Sequence, residues 1–148
     1  MRKTIIFTLV IILAFFILLL FDYKLPTKGN KTMEAEINGQ KVFLEIADSD
    51  ASREKGLSQR KEICSNCGML FIFAREGKYS FWMKDMQFDI DIIWMLKNKI
   101  VKIEKNISYK NQQNKNFGID IVADKVLEFN TGFSEKLELK EGDSLNVN

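Results

Sequence analysis

The sequence predicts a mainly β domain, a small antiparallel barrel or sandwich with one or two short helices, preceded by one N-terminal transmembrane helix. Three observations carry this expectation. Residues 5–21 form an almost wholly apolar run, the rest of the chain shows six to eight short strand-like segments between turn residues, and little of it has helical periodicity. Many short strands with little helix bury their apolar faces best as a barrel or as two packed sheets.

In chain order, residues 1–4 are a basic start carrying Arg2 and Lys3, expected in the cytoplasm. Thr8 is the only polar side chain in residues 5–21, and a helix of that length spans roughly 25 Å, enough to anchor in a hydrocarbon core about 30 Å thick once the flanks contribute. A cleaved signal peptide would end in small residues. The run instead ends Leu18-Leu19-Leu20-Phe21, and no cysteine follows that could carry a lipid, so an uncleaved anchor is expected. The positive-inside rule then places residues 33–148 outside the cytoplasmic membrane, with residues 22–32 as a tether reaching at most about 35 Å. The lipid bilayer is thus the first expected partner, through residues 5–21.

Within the outer domain, residues 33–37 and 41–47 alternate apolar and polar around Asn38-Gly39, a strong hairpin signal because both turn positions need positive φ. Ser49 or Asp50 can cap a short helix to about Lys55, with Gly56 as its stop. Gly68 to Phe73 is a continuous apolar run too short for a helix, hence a strand buried on both faces. Residues 75–78 should turn the chain. Further strands are expected at 79–83, 90–96, 100–107, 119–129 and 144–147, with a tight turn at 97–99, a polar loop at 111–118 and one helical turn at 133–137.

Composition removes several classes of function. The chain has 22 Lys and Arg against 20 Asp and Glu, and once Arg2, Lys3, Lys24 and Asp22 are set aside, 19 of each sign remain. A neutral domain lacks the positive field that nucleic-acid binding needs, so nucleic acid is not an expected partner. There is no histidine. That excludes Ser-His-Asp and Cys-His catalytic sets and most zinc sites.

Gly56-Leu57 with Arg60, Gly68-Met69-Leu70-Phe71 with Phe73, Phe81-Trp82-Met83-Lys84, Asp91-Ile92, Val126-Leu127-Glu128 with Gly132, and Gly142-Asp143 occur in an order that resembles the domain of unknown function 192 family. The resemblance spans roughly residues 42–147 and implies a mainly β, barrel-like fold with no assigned activity. In two places the chain departs from the family pattern: Asp89 stands where relatives often carry Pro, and the segment after Ile107 lacks the Pro and Cys of many members.

Four constellations are candidate chemistry. Arg60, Lys84, Asp91 and Glu128 are charges with apolar flanks, costly to bury unless paired, and they are expected either to meet as a ligand-orienting cluster or to form an internal ion network. Asp85, Asp89 and Asp91 offer a carboxylate group; Asp89 and Asp91 share a strand face and could hold a divalent ion, or one of them could fix a loop. Cys64 and Cys67 are expected to form a disulfide staple, with a redox pair or half of a metal site as alternatives. Phe71, Phe73, Phe81, Trp82, Phe88 and Trp94 read as core before pocket lining. The six lysines of residues 97–115, set against Glu104 alone, read as a solvated face or a surface for anionic lipid.

No cofactor is predicted. The expected function is a membrane-anchored binding module for a small ligand or an envelope protein. The alternatives are a metal-assisted enzyme using Asp85, Asp89 and Asp91, and a thiol oxidoreductase using Cys64 and Cys67.

Overall fold

The structure is a computed structural model that describes residues 30–145. The predicted anchor and most of the tether lie outside these residues. Among the described residues no helix is long and apolar enough to cross a membrane.

The chain runs β1 (Thr32–Ile37), β2 (Gln40–Ala47), α1 (Asp50–Lys55), β3 (Cys67–Lys78), β4 (Phe81–Trp82), β5 (Ile90–Leu96), β6 (Lys99–Ile107), β7 (Asn116–Phe117), β8 (Val122–Asn130) and α2 (Phe133–Lys136). Six strands form one sheet in the order β1-β2-β3-β8-β5-β6, and β4 and β7 form a small second sheet. The fold is mainly β, as the sequence predicts, but the large sheet is mixed rather than antiparallel. β2 and β3 run parallel because α1 and the loop after it carry the chain back to the same end before β3 begins.

Local signals place most elements. Asn38 and Gly39 take φ of 47° and 78°, and Ile37 pairs with Gln40 across the two-residue turn. Ser49 caps α1 reciprocally with Ser52, and Gly56 ends the helix at φ 49°. Lys97 and Asn98 turn β5 into β6, both at positive φ.

Elsewhere the expected boundaries shift. Residues 75–78 do not turn the chain; they continue β3 through a register irregularity between Ile72 and Gly77. Only two residues of 79–83 form strand. The strand expected from 119 begins at Val122, and the loop expected at 111–118 contains β7, whose Phe117 is buried. Ser144 makes a single bridge to Lys99, and residues 146–148 lie outside the described chain.

The large sheet is covered on both faces, which explains why its central strands are near-continuous apolar runs. On one face Leu44, Leu70, Ile93, Met95, Leu127 and Phe129 pack under Phe133, Leu139 and Leu145 of the C-terminal segment. On the other, Met69, Phe71, Ile92, Trp94 and Val126 pack under Leu57, Met83, Met86 and Phe117. Alternation along β8 therefore puts Glu128 on the same face as Val126, inside the second apolar layer.

Gly68 sits where β3 meets β8, opposite Phe129. A Cβ there would lie 2.6 Å from the Phe129 ring and 2.7 Å from the Glu128 carbonyl oxygen, and the latter belongs to backbone that cannot yield. Gly68→Ala is expected to lower stability by about 2–3 kcal/mol. Chemical unfolding checks this, and a loss under about 0.5 kcal/mol would mean that the strands separate easily here.

Candidate functional site

Two walls and a floor enclose a cavity of about 640 Å³ on the second face of the sheet. The first wall is α1 and the turn after it. Arg53 in the last turn of the helix donates through Nη1 to the Ile72 carbonyl at 2.9 Å and lies 5.4 Å from the Phe73 ring centre. Phe73 in turn stacks on Tyr79 with centroids 3.5 Å apart.

The second wall is β4 and the turn that follows. Phe81 packs edge-on against Phe71 at 4.8 Å and against Trp94 at 5.9 Å, and its pairing with Phe117 braces β4 from outside. Its neighbour Trp82 alternates outward and is 51% exposed, with the Lys84 ammonium 5.7 Å from its ring centre. Asp85, at φ 57°, accepts the Gln59 N–H through its carbonyl at 2.8 Å and so ties the two walls together.

The floor is Glu128. Its β8 position lies between Met69 of β3 and Ile92 of β5, and the side chain is almost fully buried. Among the described residues its Oε2 has no hydrogen-bond partner. Burial pushes this carboxyl up to about 8, outweighing the Arg60 field that acts in the opposite sense. Near neutral pH Glu128 is therefore largely a neutral acid that can both donate and accept a hydrogen bond. Arg60 itself is held by both oxygens of Glu45, with Nη2 to Oε2 at 2.8 Å, and this charge-assisted pair keeps the Glu45 carboxyl below its ordinary range.

The four charges singled out in the sequence thus do not form one cluster. Lys84 and Glu128 line the same cavity, and Arg60 influences Glu128 by its field while bonding to Glu45. Asp91 points to the opposite face from Ile92, the residue registered with Glu128. There it is fully buried and accepts main-chain N–H groups from Asn106 at 2.9 Å, Gly132 at 3.3 Å and Ser134 at 2.9 Å.

The carboxylate group divides as well. Asp89 accepts the Tyr109 N–H at 2.9 Å, Asp85 lies at the cavity, and among the described residues no three His, Cys, Asp or Glu side chains gather as metal ligands. Cys64 and Cys67 are joined by a disulfide whose loop is fixed by Asn130, which donates to the Cys64 carbonyl at 2.9 Å. Breaking this bond in a Cys64→Ser, Cys67→Ser variant is expected to cost about 2 kcal/mol in thermal or chemical unfolding. Unchanged stability, together with ready exchange with glutathione in the unmodified chain, would favour a redox role instead.

The DUF192 family model, described as "Uncharacterized ACR", matches residues 33–147. The chain belongs to the DUF192 family. Two solved structures share its fold. One is a protein of unknown function from Novosphingobium aromaticivorans DSM 12444, with 25% identity and a TM-score of 0.71, covering 82% of this chain and 89% of its own. The other, from Sinorhizobium meliloti 1021, is described as a "putative transcription regulator"; it has 24% identity and a TM-score of 0.68, covering 78% of this chain and 90% of its own. A comparison with curated proteins returned no match.

Several residues that carry the DUF192 resemblance now have physical roles. Gly56 ends α1 at the cavity wall, Gly68 allows β3 to approach β8, Asp91 holds the α2 turn, and Lys84 and Glu128 face the cavity. Arg53 and Tyr79 were not legible as site residues, since a helical arginine and a strand-like tyrosine carry no local signal of what they will face. Glu45 did carry one: it is a lone carboxylate in the apolar stretch of β2.

Proposed function

We propose that this chain is a membrane-anchored, extracytoplasmic small-ligand-binding module whose cavity recognises its ligand through Glu128 and Lys84. The observation that carries this is the Glu128 carboxyl, which is almost fully buried, lines the floor of the cavity, and has its enclosed Oε2 unpartnered among the described residues. A buried polar atom without a partner is uncommon and costs roughly 1–3 kcal/mol. A ligand group that hydrogen-bonds the carboxyl where it lines the cavity offsets part of that cost. The volume lies in the usual range for small-molecule sites, about 300–1,000 Å³, and apolar walls with a few convergent polar groups are the usual composition.

The proposed location is supported by the apolar run at residues 5–21 behind Arg2 and Lys3, and by the Cys64–Cys67 disulfide, a bond that persists in oxidising compartments. A metal-assisted enzyme draws less support, because Asp89 and Asp91 already accept main-chain N–H groups.

The test is ligand-observed NMR on the full chain in detergent micelles, screened against small water-soluble metabolites, beside the Glu128→Leu and Lys84→Met variants. The expected result is at least one saturable binder whose affinity drops about tenfold or more in each variant, the order expected for losing one buried hydrogen bond. Binders indifferent to both substitutions would place the site elsewhere.

A further inference from the structure

We infer that the cavity takes a neutral, polyhydroxylated ring, a mono- or disaccharide, stacked on Trp82 with its hydroxyls reaching Lys84 and Glu128. This rests on the cavity being a ligand site and specifies the chemical class. Trp82 is the first reason. Among the described residues it is one of the few large apolar side chains left exposed, and it stands at the cavity on a strand braced through Phe81 and Phe117. An exposed indole offers a flat, electron-rich face, and the weakly positive C–H face of a sugar ring complements it. Tyr79 on Phe73 adds a second aromatic surface inside the same cavity.

Charge is the second reason. Arg53 is paired with Asp50, Lys78 with Asp120, and the Lys84 ammonium lies near the indole, while Glu54, Lys55 and Asp85 add both signs to the lining. Such a lining has no strong single-sign field to select an anion or a cation. It is rich in groups that either donate or accept, which suits hydroxyls that do both. The third reason is the floor. Where its carboxyl lines the cavity, a largely protonated Glu128 can share a hydrogen bond with a sugar hydroxyl without an ion having to be desolvated. A cationic ligand would instead have to drive the proton off Glu128.

The experiment uses the full chain in detergent micelles and five probes: maltose, lactose, N,N′-diacetylchitobiose, spermidine and citrate. Binding is read by tryptophan fluorescence and by calorimetry in two buffers of different ionisation enthalpy, which reports proton release or uptake. The expected result is saturable binding of at least one disaccharide with little proton exchange, weakened tenfold or more in Trp82→Ala and partly restored in Trp82→Phe. The aromatic variant retains a stacking face, so the pair separates stacking from a folding defect. Binding of spermidine with proton release, or of citrate, without any disaccharide would overturn the saccharide assignment and leave the cavity as a ligand site. Binding of none of the five would overturn the assignment, and the metabolite screen then decides the cavity by itself. A disaccharide that binds equally to Trp82→Ala would overturn the stacking geometry on which the inference is built.

Discussion

Asp91→Ala is expected to lower the stability of the domain by on the order of 4 kcal/mol or more. The Asp91 carboxylate is fully buried and accepts three main-chain N–H groups, from β6 at Asn106 and from the start of the α2 turn at Gly132 and Ser134. Hydrogen bonds to a charged group contribute about 1.5–3 kcal/mol each, and deleting the acceptor also strands three donors. The loss would not stay local. The α2 turn sets Phe133 against Phe129, rings stacked at 3.8 Å, and begins the segment that covers the first apolar layer with Leu139 and Leu145. Urea unfolding followed by far-UV circular dichroism checks this. A loss within about 1 kcal/mol would mean that water replaces the carboxylate and that Asp91 is free for another role.

The second large effect depends on pH. Glu128 has a folded pKa of about 8 against an ordinary value of 4.5, so between these values the folded state holds a proton that the unfolded state has lost. The contribution of Glu128 is therefore most favourable below about pH 4.5, declines as pH rises through the window, and levels off above about 8. The whole decline amounts to on the order of 5 kcal/mol. Glu128→Gln keeps the shape and removes the titration. The difference in stability between the two proteins should be small near about pH 5 and should favour the Glu128→Gln variant by a few kcal/mol near about pH 8. Parallel pH profiles would mean that Glu128 is ionised and paired in the folded protein. A buried acid that weakens the fold at neutral pH is the cost expected of a group retained for binding.

How much of this was legible in the sequence depended on the range of the interaction. The Asn38-Gly39 turn, the Ser49 cap with its Gly56 stop, and strand β5 at Ile90–Leu96 follow from neighbours within a few residues, and they appear where expected. The parallel pairing of β2 with β3 was not legible, because it depends on where the chain after α1 returns, and no local pattern encodes that. Nor could residues 75–78 be separated from a turn: a Gly in a polar stretch also suits a strand irregularity. At the site, apolar flanks identified Arg60, Lys84, Asp91 and Glu128 as costly charges, yet spacing alone could not assign them to faces. Register does so, placing Glu128 opposite Ile92 and thereby Asp91 on the far side of the sheet. Trp82 shows the same limit from the other direction. Its place among strand aromatics suited the core, but on β4 it alternates outward and its ring is half exposed.

Binding of ligand in the cavity over Glu128 is tested most directly by backbone and side-chain NMR of the labelled full chain in micelles. On titrating a binder from the metabolite screen, saturable shifts are predicted at the Glu128 carboxyl, the Trp82 indole N–H and the Phe73 ring, with residues 110–115 and strand β1 unmoved. Saturable shifts at those distant segments with Glu128 and Trp82 unchanged would contradict it.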